Sequence, residues 1–188
     1  MISTVYHSVE NTEDASKVER SAPFKCTSPE SWFGDGYYVW ETFIELAHWW
    51  GKVHYNNNYF VCESKISIDA DEMLDLVGNT KQIFEVKSLR QELAIKYSQK
   101  TITARFVIEH MKSKLTKGFP FKAIRGYGIN SVNTGDDLLL NRLCFTENNN
   151  KAYLDLTPAI QICVLDKKVL RLPMKIIYPE EYCEDFTI

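Results

Sequence analysis

Near the amino terminus the run ISTVYHSV alternates between residue classes and is rich in β-branched and aromatic side chains, so it predicts a strand. A short polar helix is expected over residues 13–20. His7 then lies at the end of that first strand. The segment SAPFKCTSPES carries Pro23 and Pro29 among small polar residues and predicts a loop into a second strand, SWFGDGYYVW, entered through Gly34 and Gly36. Over residues 41–50 the period changes. Phe43, Leu46, Ala47 and Trp50 recur at helical spacing, and Gly51 is placed to end the helix.

NYFVCESKISID predicts a further strand, set off by Asn56, Asn57 and Asn58, and DADEMLDLVG predicts a short acidic helix closed by Gly78. Two helices follow. The first starts at Asn79, with Gln82 as its capping partner and Val86, Leu89, Leu93 and Tyr97 as its apolar stripe. The second covers residues 102–117 with Ile102, Phe106, Met111 and Leu115. After Gly118 the pattern turns β-like again in PFKAIRGYGI, DLLLNRLCF, AIQICVL and VLRLPMKIIY, with a loop at residues 148–150. The class is α+β, with helices between two groups of strands and no internal repeat.

At 188 residues, 45% of them hydrophobic, the chain is expected to form a single domain over residues 1–188. It has no run of about 20 apolar residues and no basic, apolar leader at its start, so a soluble cytoplasmic protein with no membrane contact is expected. Cys26, Cys62, Cys144, Cys163 and Cys183 are odd in number and lack CxxC spacing. They read as buried reduced thiols, and with His7, His48, His54 and His110 they form no metal-ligand pattern.

The net charge of −3 hides a division. Residues 80–125 hold eleven Lys or Arg against three acids, or +8, while the remainder holds eleven against twenty-two, or −11. A solvated helical face accounts for those lysines plainly; a surface for an acidic partner, nucleic acid included, is the sharper alternative. The candidate chemistry is equally two-sided at first sight. His7 beside Ser8 is a strand histidine, FGDGYY is a turn or a place where a ligand approaches the backbone, and AHWW is core or a ring platform.

The order of these features carries more than any one of them. Tyr6, His7 and Ser8 end the first strand; Gly34, Asp35, Gly36, Tyr37, Tyr38 and Val39 form G-x-G-x-Tyr followed by apolar residues; Ala47, His48 and Trp49 lie on the next helix; Gln161 to Asp166 form a late strand. This succession resembles the ADP-ribosyltransferase superfamily, in its poly-ADP-ribose-polymerase-like or diphtheria-toxin-like branch. Ser8 stands where that family has glycine, and Gln161 where it has a glutamate.

The resemblance implies an ADP-ribosyltransferase-like fold: two small antiparallel sheets around an NAD cleft, with residues 80–117 as a helical basic lobe. NAD would be the substrate, with no metal. Tyr38 and Trp49 would sandwich nicotinamide, His7 would hydrogen-bond a ribose hydroxyl, the Ser8 backbone would pair with the carboxamide, and Gly36 would let the chain approach. Catalytic work would fall to His7, Tyr38 and Gln161, with Asp166, Asp136, Asp137 or Glu147 as alternative carboxylates. The acceptor would be a protein or nucleic acid, and the setting a bacterial or phage toxin or effector, with an antitoxin or other partner protein. The alternative is a catalytically degenerate module, since an amide orients a hydroxyl but accepts no proton. Its basic helices would bind an acidic protein or nucleic acid.

Overall fold

The β-branched alternation of the first segment forms β1 (Ile2–Glu10), the strand around which the molecule is built. The computed structural model describes residues 1–98, 101–114, 118–128, 141–146 and 152–183. After β1 come α1 (Ala15–Ser21), β2 (Lys25–Cys26), β3 (Gly36–Glu41), α2 (Ile44–His54), β4 (Tyr59–Ser67) and β5 (Met73–Asp75). The helices α3 (Thr80–Lys96) and α4 (Ala104–Lys114) follow, then β6 (Ala123–Tyr127), β7 (Arg142–Cys144), β8 (Tyr153–Asp155), β9 (Ile160–Val164) and β10 (Lys175–Tyr178). The class is mixed α and β. Among the described residues no helix is long and apolar enough to cross a membrane.

The expected pair of small antiparallel sheets is replaced by one mixed sheet of eight strands, ordered β10-β4-β1-β3-β9-β6-β5 with β2 on β3, and a separate antiparallel pair β7-β8. The parallel pair in this sheet comes from DADEMLDLVG, expected as a helix. Only a single 3-10 turn forms there, and Met73 and Leu74, both buried, continue as β5 in parallel register with β6. Burying two adjacent apolar residues on opposite faces needs a strand with both faces covered.

The large sheet is covered on both sides. One face holds Val5, Val39, Ile66, Ile162 and Val164, extended by Phe60, Cys62 and Ile176 under α1. The other packs Trp40, Tyr59 and Val61 against α2, and Leu74, Ile124 and Cys163 against Ile108 of α4. The junction between β1 and β3 is short, paired only at Val5–Glu41 and Tyr6–Trp40, whereas β1 and β4 pair along nine residues.

Three further expectations shift. Gly51 does not end α2 but lies within it, because its missing side chain admits the Tyr59 ring; a Cβ there would sit 2.3 Å from the ring. In α3 the Asn79 side chain accepts from the Gln82 N–H, yet the Gln82 amide reaches to Asp75 N and Met73 O instead of returning to Asn79. In α4 the buried residues are Val107 and Ile108, and Phe106 is exposed. Leu115, the loop at 148–150 and the first four residues of DLLLNRLCF lie outside the described residues. All five cysteines are free thiols, but only Cys62 and Cys163 are buried; Cys144 is exposed and Cys26 and Cys183 are half-buried.

Candidate functional site

Where β1 and β3 part, a cavity of about 540 Å³ opens. His7, Ser8, Tyr38 and Gln161 all line it, although they come from three distant stretches of chain. Gln161 reaches it through the register: it pairs with Trp40 on β3 and Gly126 on β6, so its side chain shares the face of Trp40 and Tyr38. It is 6% exposed, and its amide makes no hydrogen bond among the described residues.

The backbone of Ser8 also faces this space. Thr42 N–H donates to the Thr4 carbonyl (2.9 Å), which sets the alternation: Thr4, Tyr6 and Ser8 direct their backbone groups toward β3, and Val5, His7 and Val9 toward β4. The β1–β3 ladder stops at Tyr6–Trp40. Beyond it the Ser8 N–H and C=O point into the opening. The Ser8 hydroxyl is directed elsewhere, donating to the Ala47 carbonyl of α2 (2.6 Å).

His7 is tied into the walls. Phe24 N–H donates to Nε2 (3.3 Å), so Nε2 carries the lone pair and Nδ1–H donates to the Tyr38 carbonyl (2.9 Å). Burial, assisted by the positive charge of Lys167 and opposed by the Tyr38 carbonyl, pushes this imidazole down to about 4. His7 is therefore a neutral strut between β1, β3 and the segment before β2. The expected ribose contact would require it to give up one of these bonds.

Tyr38 is held by the turn before it. Its hydroxyl accepts from Phe33 N–H (3.0 Å) and donates to the Gly34 carbonyl (2.7 Å), while Gly34 adopts φ 86°, a conformation that suits glycine. Burial raises the phenol's pKa well above its ordinary value. Tyr38 lines the cavity and also packs against the cluster of Phe33, Leu74, Ile108, Ile124 and Cys163. Gly36 serves packing: a Cβ there would lie 2.3 Å from Cys163 Sγ.

Trp49 is placed differently from expectation. It packs edge-on against Trp40 and Trp50, and the cavity wall is supplied by Trp50, whose ring stacks on His54 at 3.8 Å. Successive helical residues point about 100° apart, so a one-residue misreading of the helix phase exchanges the two tryptophans. Phe24, Lys25 and Glu30, which also line the cavity, come from a loop without periodicity, and only the pairing of β2 with β3 brings them in. Glu30 is the one carboxylate among the described lining residues. Asp166 instead caps a 3-10 turn, accepting from Lys168 N–H; Asp136, Asp137 and Glu147 lie outside the described residues.

Arg105 ties the basic helices to the rim. Arg105 of α4 donates to the Ser28 carbonyl (2.5 Å) and Ser31 Oγ (2.8 Å) and lies 3.5 Å from Asp35. Among the described residues no group of three His, Cys, Asp or Glu is arranged to hold a metal. The chain matches no family model, no curated protein and no solved structure.

Proposed function

We propose that the protein binds NAD in the β1–β3 cavity, cleaves the nicotinamide–ribose bond and passes ADP-ribose to a macromolecular acceptor, protein or nucleic acid. One observation carries the reading: His7, Ser8, Tyr38 and Gln161, which the motif order singles out from across the chain, line the same opening. The Ser8 N–H and C=O, past the end of the β1–β3 ladder, form a donor and acceptor pair, and a primary carboxamide presents their complement. Tyr38, which lines the cavity, would offer a stacking surface, worth about 0.5–1.5 kcal/mol for an aromatic pair. Gln161 can orient a ribose hydroxyl. In the reaction the bond from the ribose carbon to nicotinamide breaks, its electron pair leaving with nicotinamide through an oxocarbenium-like state, and an acceptor nucleophile attacks that carbon and loses a proton. Positioning and fixed dipoles are the protein's contribution. His7 enters as a positioning residue that holds Tyr38 beside Ser8. A cytoplasmic toxin or effector, with a partner protein that restrains it, fits this activity by analogy of motif order alone.

Gln161 favours a second reading, a module that binds NAD without transfer. Calorimetric titration with NAD and transfer of label from NAD to lysate acceptors separate the two. Binding with transfer, both reduced about tenfold or more in Tyr38→Ala and Gln161→Leu, is the expected result. Binding without transfer supports the module. Absence of NAD binding by the folded wild-type protein overturns both.

A further inference from the structure

We infer that the groove between α3 and α4 docks an acidic, amphipathic helix of a partner protein. The groove has a volume of about 460 Å³, with a floor of Leu89, Leu93 and Met111 and with Lys96, His110 and Lys114 around it, beside Glu92. It shares no residue with the NAD cavity. Of the 17 residues of α3 only Leu93 is buried, so this helix lies on the molecule with most of its surface uncovered. Phe84 and Ile95 on it are 65% and 81% exposed. A long helix of this kind gains little from its own chain; most helix stability in proteins comes from packing an apolar face.

The distribution of charge says what kind of partner fits. Cations that face the body of the protein are matched: Arg105 by Asp35, Lys112 by Glu109, Lys122 by Glu72, Arg125 by Glu41 and Asp75. Lys81, Lys87, Arg90, Lys96 and Lys114, all on α3 and α4, enter no ion pair among the described residues. Two of these cations, Lys96 and Lys114, line the groove, against the single carboxylate of Glu92.

A second copy docked face to face would oppose two such sets of cations and is disfavoured. A nucleic acid would satisfy the lysines but leave the Leu89–Met111 floor in water. A helix with Leu, Ile or Met at every third or fourth position and Asp or Glu beside them satisfies both features, the apolar side chains entering the groove and the carboxylates reaching Lys96 and Lys114.

The probe is a fluorescein-labelled synthetic helix of about 18 residues, with leucine on one face and glutamate flanking it, titrated into the full chain by anisotropy. Saturable binding is expected, weakened several-fold between about 50 and 200 mM salt and about tenfold or more by Lys96→Glu with Lys114→Glu. These lysines are exposed and unpaired, so the variant keeps its melting transition and its NAD binding; His110→Glu with Lys114→Glu provides a second test. The same helix with lysine for glutamate should not bind. No binding of the acidic helix, indifference to charge reversal, tighter binding of an RNA duplex, or self-association through this face in sedimentation would each overturn the inference.

Discussion

At the scale of single residues, His7 shows how a motif position acquires a definite role from its neighbours. Its two nitrogens serve Phe24 and Tyr38, and burial pushes its pKa to about 4, from an ordinary value near 6.5. The folded state therefore binds fewer protons than the unfolded chain between these values. The stabilisation is complete above pH 6.5 and declines as pH falls toward 4, by at most about 3 kcal/mol. Urea unfolding across this window should show the decline, and His7→Gln should flatten it; an unchanged slope in that variant would assign the pH dependence elsewhere. At Gln161 the question is catalytic. On the proposed reading, introducing a carboxylate by Gln161→Glu should raise NAD cleavage by about 10²-fold or more, since positioned general bases contribute on that scale. A variant that binds NAD with no gain in turnover would show that this position takes no proton.

At the scale of elements, close approaches decide where helices and strands run. Gly51 reads as a stop signal in sequence, yet in the fold it is the place where α2 meets Tyr59. Gly51→Ala would gain about 1 kcal/mol in helix propensity but force a methyl into the Tyr59 ring, an overpacking that costs about 1–3 kcal/mol. A net loss of up to about 2 kcal/mol in thermal or urea unfolding is the expected result, and a stabilised variant would contradict this account. The phase of α4 is set in a similar way. Ile102, Phe106 and Met111 have helical spacing, but α4 turns Val107 and Ile108 inward, because Ile108 meets Phe33, Leu74 and Ile124 on the sheet. The sequence periodicity of one helix records an apolar stripe; which edge of the stripe is buried depends on the surface it meets.

At the scale of the molecule, the sheet is divided by the short β1–β3 junction, and the strands beyond it are clasped by Arg125. Its guanidinium donates to Glu41 (2.7 Å) on β3 and Asp75 (3.0 Å) on β5. Burial alone would raise the Asp75 carboxyl, but the Gly78 and Val77 amides together with Arg125 hold it below its ordinary value. Glu41 is only 7% exposed. Removing the cation by Arg125→Ala should leave a buried charge without its partner and cost about 3–5 kcal/mol, of which Glu41→Gln in the same chain should recover part. A loss below about 1 kcal/mol in equilibrium unfolding would mean that the clasp is solvated and of little weight.

The sequence by itself determined the α+β class, the first strand, the helical stretch with its Asn79 cap and the charge division, while His7, Ser8, Tyr38 and Gln161 were singled out by the resemblance in motif order. These rest on local propensity, periodicity and order, which are properties of neighbouring residues. Only the tertiary structure decided that MLD is a parallel strand, that Trp50 and not Trp49 faces the cavity, that both nitrogens of His7 are engaged, and that Glu30 lies among the lining residues. Each of those depends on a partner far away in the chain. Pairing across β1, β3 and β9, and the gap left where β1 and β3 cease to pair, arise from the packing of the whole sheet and leave no periodic trace in the segments that form them.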